Sequence, residues 1–110
     1  NGLKDEGRMI AEEERKKMKQ SLSFDAEDSI ILFVGRLDSI KGVDFLIKAF
    51  RRVLDVYSHT RLILAGDGSF NTYLKKCSGI RSGITFTGKV DKEKLYQYYR
   101  IADVEDSFRS

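Results

Sequence analysis

The spacing of hydrophobic and polar positions changes several times along this chain, and each change predicts an element. Residues 5–22 are mostly charged and read as a polar helix. In the run EEERKK, from Glu12 to Lys17, acids precede bases, which favours i,i+4 pairs such as Glu12–Lys16 and Glu13–Lys17. The apolar face of this helix is thin (Met9, Ile10, Met18, Leu22), so it is expected to lie on a larger body with much of its surface in water. After a linker of Asp, Glu and Ser over 24–29, residues 30–34 (IILFV) are apolar at every position and stop at Gly35. Continuous rather than alternating apolarity predicts a strand covered on both faces, as in a parallel sheet.

Residues 42–57 form the clearest helical pattern. Val43, Leu46, Ile47, Phe50, Val53, Leu54 and Tyr57 fall on one face, while Lys48, Arg51, Arg52 and Asp55 take the other. Residues 61–65 (RLILA) repeat the buried-strand pattern and stop at Gly66. A short helix is expected over 69–78, with Phe70, Tyr73, Leu74 and Cys77 inward and Gly79 as its stop. A third strand, 84–87, stops at Gly88, and a helix over 91–102 begins at Asp91 as N-cap. On that last helix the spacing puts Leu95 and Tyr99 on the core side with Ala102, and Tyr96 and Tyr98 nearer the surface. Asp103-Val104 starts a fourth strand, but residues 105–110 read as too polar to continue it inside a core.

Strand–helix alternation at this spacing predicts an α/β fold of three layers, Rossmann-like and doubly wound, with three parallel strands and the start of a fourth flanked by helices. In that winding the first strand is central and the fourth pairs on its free side. The expected division is a helical segment (1–24), a wound domain (25–104) and a polar tail (105–110).

Size agrees with one such domain: 110 residues and 12.6 kDa. The charge is uneven. Residues 1–30 carry six cations and eight anions, the remainder fourteen and nine, so the wound part is mildly basic. That suits a small anionic ligand but is not the dense basic stripe of a nucleic-acid binder. One cysteine, Cys77, and one histidine, His59, leave no cysteine cluster or multi-histidine metal centre, so no metal site is expected. Cys77 reads as packing, His59 as a surface turn residue and Lys75-Lys76 as a solvated face. The longest apolar run, five residues, is far short of the roughly 20 a membrane helix needs. The opening Asn1-Gly2-Leu3 shows no leader pattern and reads as cut from something longer.

Three strands ending on glycine (Gly35, Gly66, Gly88) point to a ligand-facing sheet edge, because the crevice of an open parallel sheet lies at the carboxyl ends of its strands. The first loop, Gly35-Arg36-Leu37-Asp38-Ser39-Ile40-Lys41-Gly42, runs directly into the long helix. A helix N-terminus offers unpaired N–H groups to a phosphate, and Arg36 and Lys41 flank that position. From charge alone, a diphosphate seat and a pair of ordinary surface cations stand equally. No G-x-x-x-x-G-K-[ST] is present. Gly66-Asp67-Gly68-Ser69-Phe70-Asn71 lacks the third glycine of a dinucleotide fingerprint and follows the second strand, which disfavours a nicotinamide or flavin domain.

Three blocks, ILFVGRLDSIKGVDFLIKAF (31–50), RLILAGDGS (61–69) and ITFTGKVDKEKLYQYYRIADV (84–104), resemble in order and spacing the group 1 (family 4) retaining glycosyltransferases, at the start of the C-terminal donor-binding domain of the GT-B fold. The resemblance implies that Arg36 and Lys41 bind and neutralise the diphosphate of a nucleotide sugar. It also implies that Gly35, Gly66, Asp67 and Gly68 lie near the donor, and that the backbone of Gly88, Lys89 and Val90 meets the nucleobase. It implies sugar transfer from a nucleotide-diphosphate sugar to a glycan or lipid-linked acceptor, with no cofactor or metal, in a bacterial cytoplasmic enzyme whose parent sits at the inner membrane face. The acceptor-binding N-terminal domain is missing here. The family's pair of Glu eight apart lies beyond the point, Glu105, where this chain diverges. The chain alone is therefore expected to be inactive. The alternative from another class is a non-catalytic α/β module that self-associates, as a homodimer, through the free edge of the first strand.

Overall fold

In a computed structural model of the chain, the described residues are 2–37, 42–68, 73 and 75–107. Among them the elements are α1 (Gly2–Ser21), β1 (Ser29–Val34), α2 (Gly42–Val56), β2 (Thr60–Ala65), two 3-10 turns (Lys75–Cys77 and Arg81–Gly83), β3 (Ile84–Gly88), α3 (Lys92–Ile101) and β4 (Val104–Ser107). All strand pairings are parallel and the sheet order is β3-β2-β1-β4.

The unbroken apolarity of the central strands has a direct cause. Ile30 and Leu32 of β1, with Ile63 and Ala65 of β2, enter a core closed by Tyr98 and Ile101 of α3 and by Met18 and Leu22 at the end of α1. The intervening Leu62 and Leu64, with Ile31 and Phe33 packed alongside, enter a second core with Val43, Ile47 and Phe50 of α2. Each strand alternates between two dry faces, so neither parity can be polar. The result is the three-layer α/β arrangement expected of a Rossmann-like domain, with helices on both faces of one sheet. Successive strands step outward from β1 through β2 to β3, and the chain then returns by α3 to the other side of β1. The strand order therefore reverses between β1 and β4, the place where such sheets hold ligands.

Several local expectations change. Residues 104–107 form a strand in spite of their polarity, in register Ile31↔Val104 through Val34↔Ser107. At a sheet edge, backbone pairing with β1 supplies the hydrogen bonds, and no side chain need be apolar. The pairing begins at Asp103, whose N–H donates to the Ile30 carbonyl (2.8 Å) and whose carboxylate accepts from the Ile30 N–H (2.8 Å). Both sides of β1 are thus paired, so its edge is closed to a second copy. The outer edges of this sheet belong to β3 and β4. On α3, Tyr98 is buried and Tyr99 is 40% exposed, the reverse of the expected order, because Leu95, Tyr98 and Ile101 share the inward i,i+3 row. Tyr57 lies just past α2 and is exposed. Of the helix expected over 69–78, Tyr73 is helical and Lys75–Cys77 form a 3-10 turn, while 69–72 and 74 lie outside the described residues.

Polar contacts dock α1 on the domain. Arg15 donates from Nε to the Arg100 carbonyl (3.0 Å) and from Nη2 to the Ile101 carbonyl (3.2 Å) and Asp103 Oδ1 (3.1 Å), capping the exposed C-terminal carbonyls of α3. The nearly buried Lys19 donates from Nζ to the Asp28 carbonyl at 2.8 Å. Instead of the expected Glu12–Lys16 pair, Glu12 meets Arg15 and Lys16 meets Glu27.

Candidate functional site

The carboxyl ends of β1, β2 and β3 form one continuous row. The Gly35 N–H donates to the Ala65 carbonyl (3.0 Å), the Leu37 N–H to the Asp67 carbonyl (3.0 Å), and the Gly66 N–H to the Gly88 carbonyl (3.3 Å). The three glycines predicted to share an edge therefore do share it. At Gly66 the glycine is required by the protein itself. A Cβ there would lie 1.7 Å from the Gly35 carbonyl oxygen, and φ is +153°. Gly88, at φ +68°, serves a left-handed turn, and a methyl group on its α-carbon would meet nothing within 4 Å.

Arg36 is exposed and sits between two members of this row, Gly35 and Leu37, the latter 1% exposed. It thus occupies the C-terminal end of the central strand, beside the β1/β4 reversal. Lys41, together with 38–40, lies outside the described residues. Asp67 is exposed, but its Oδ1 accepts from the Gly68 N–H at 2.9 Å, so this carboxylate is turned onto its own loop. Lys89 is exposed and Val90 packs against the core beneath α3, so of this loop the lysine side chain faces solvent.

One contact beside these strand ends is not readable from the sequence. Tyr73, expected only as an inward packing residue, donates its hydroxyl to the Leu37 carbonyl at 3.0 Å. A tyrosine at the rim of a core commonly finds such a partner for its polar tip, but the identity of the partner is set by folding. Two open cavities, of about 430 and 390 Å³, lie on the outer side of α2 among Phe45, Lys48, Arg51, Arg52 and Lys76, and neither is lined by a strand-end residue. Among the described residues no group of three or more His, Cys, Asp or Glu is placed to hold a metal, and no helix is long and apolar enough to cross a membrane.

Residues 14–105 match the sequence profile of the glycosyl transferases group 1 family. The chain belongs to that family. The matched span contains β1, β2, β3 and every candidate site residue. An uncharacterized glycosyltransferase of Methanocaldococcus jannaschii is 34% identical over 95 residues, covering 84% of this chain and 24% of the relative. A second from the same organism is 40% identical over 77 residues, covering 67% and 20%. The alpha-monoglucosyldiacylglycerol synthase of Streptococcus pneumoniae is 27% identical over 97 residues, covering 86% and 22%. The chain thus spans between a fifth and a quarter of the length of these relatives.

Proposed function

We propose that this chain supplies part of the donor site of an enzyme that transfers a hexose or similar sugar from a nucleotide-diphosphate sugar to a glycan or lipid-linked acceptor. The observation that carries the reading is the exposed Arg36 at the carboxyl end of the central strand, beside the point where strand order reverses. Arg36 and Lys41 take the diphosphate. A guanidinium grips two oxygens in a fork and an ammonium acts as a point charge. As the sugar departs, negative charge grows on the leaving diphosphate. Cations held in place beforehand stabilise that charge by about 3–4 kcal/mol each. Gly35, Gly66, Asp67 and Gly68 border the donor, and Gly88, Lys89 and Val90 offer backbone to its base. No cofactor is assigned to this reaction. The acceptor site and the grip on the sugar come from other parts of a longer protein, so the 110-residue chain binds donor weakly and transfers nothing by itself. The whole enzyme is assigned to the cytoplasm, where nucleotide sugars are its donors.

Titration of the chain with UDP, GDP and ADP, followed by NMR, tests this. One of the three is expected to bind, and Arg36→Ala and Lys41→Ala should each weaken it about ten- to hundredfold, the range for a charge-assisted contact. Binding unaffected by either substitution would remove both residues from the site.

A further inference from the structure

We propose that Tyr73 is a positioning residue for the donor diphosphate, acting through the backbone of Leu37 to fix where Arg36 stands. The proposal rests on the donor-site reading above. Leu37 is held at three points. Its N–H donates to the Asp67 carbonyl at 3.0 Å, its carbonyl accepts from the Tyr73 hydroxyl at 3.0 Å, and its side chain is buried in the core under α2. On the other side of Arg36, the Gly35 N–H is bonded to the Ala65 carbonyl at 3.0 Å. Arg36 is therefore an exposed residue between two anchored neighbours, and three of the four anchors come from β2 and the segment that follows it.

The chemistry gives these anchors a purpose. A guanidinium has four rotatable side-chain bonds before its fork, so its aim at a diphosphate depends on how much of that freedom the backbone still adds. Holding the peptide on both sides removes the backbone contribution before the ligand arrives, which is how preorganisation raises affinity. Tyr73 is suited to this because its ring packs on the core while its hydroxyl reaches the rim. The Asp67 bond is made by backbone and survives any substitution there. Of the hydrogen bonds that hold Leu37, the Tyr73 bond is the one made by a side chain, and Tyr73→Phe removes it.

Tyr73→Phe keeps the ring and deletes the hydroxyl, so the fold is retained. Amide exchange at Leu37 is compared with that at Leu64 in the ligand-free chain, and affinities are measured for UDP, GDP and ADP and for the corresponding nucleosides. Leu37 should exchange several-fold faster with Leu64 unchanged. The diphosphate that binds should do so about fivefold more weakly, the loss expected for one neutral hydrogen bond, while its nucleoside is unaffected. Unchanged exchange at Leu37, or equal weakening of diphosphate and nucleoside, overturns the proposal. If the unsubstituted chain binds no diphosphate, the donor reading falls and the role of Tyr73 falls with it. If it binds and Arg36→Ala weakens it but Tyr73→Phe does not, the role of Tyr73 alone is lost.

Discussion

The Gly66 α-carbon lies so close to the Gly35 carbonyl that a methyl group on it would stand 1.7 Å from the oxygen. Neither strand end can retreat easily, because each also carries a backbone hydrogen bond to its neighbour, Gly35 to Ala65 and Gly66 to Gly88. Gly66→Ala is accordingly expected to destabilise the chain by about 4 kcal/mol or more, a size reserved for enforced overlap and strained backbone. Gly88→Ala makes the contrast. Its φ of +68° is unfavourable for alanine but no atom is met, so the loss should be about 1–2 kcal/mol. Urea titrations of both variants measure the difference. Equal losses would mean that the close approach at Gly66 does not determine its identity.

The attachment of α1 gives a second expectation. Arg15 answers two C-terminal carbonyls of α3 and the Asp103 carboxylate that starts the β1–β4 pairing. Arg15→Ala leaves those carbonyls to water and loosens one end of β4. A loss of about 1–2 kcal/mol is expected, with faster amide exchange at Ile30 and Asp103. Arg15→Lys should recover little, since an ammonium cannot reach several acceptors with a planar fork. Recovery to full stability by lysine would show that charge alone matters there.

Alkaline pH supplies a third. Burial pushes the Cys77 thiol above its ordinary 9.0, against the opposing pull of Arg81 and Arg51, and burial likewise pushes the Tyr98 phenol above its ordinary 10.0. In both cases the folded chain holds the proton more tightly than the unfolded chain does. The stability this contributes is complete below pH 9 and is lost as pH rises past the unfolded values towards the raised folded ones. Urea midpoints should therefore be level between pH 7 and 8.5 with respect to these groups and fall above pH 9. Cys77→Ser should flatten the start of that fall and Tyr98→Phe its later part. A fall of unchanged steepness in both variants would assign the alkaline limb to other groups.

The alternation of elements was legible because both faces of the central strands are dry. Burial on two sides leaves an unbroken apolar run in the sequence, and IILFV and RLILA carry it plainly. The strand-end glycines were legible for a related reason, since a glycine after such a run marks a backbone that comes close to something. What it comes close to was not readable: Gly66 meets Gly35, and these lie 31 positions apart in the chain. The fourth strand was legible only at its start, Asp103-Val104; its polar continuation was not, because an edge strand is held by its backbone, and VEDS has the backbone groups of any other sequence. The inward row of α3 is not legible because Tyr98 and Tyr99 are adjacent tyrosines, and only the docked orientation of the helix selects between them.

The order of elements, the wound α/β class, the family and the loop in which Arg36 stands all follow from the order of amino acids. Those depend on burial patterns and short motifs, which are local properties of the chain. Folding in three dimensions was needed to show that the polar residues 104–107 complete the strand beside β1, that Arg15 ties α1 to the start of that strand, and that Tyr73 reaches Leu37. Each of these is a meeting of residues distant in sequence. Hydrogen-bond partners at that range are chosen by the packing of whole elements, and no local pattern encodes them.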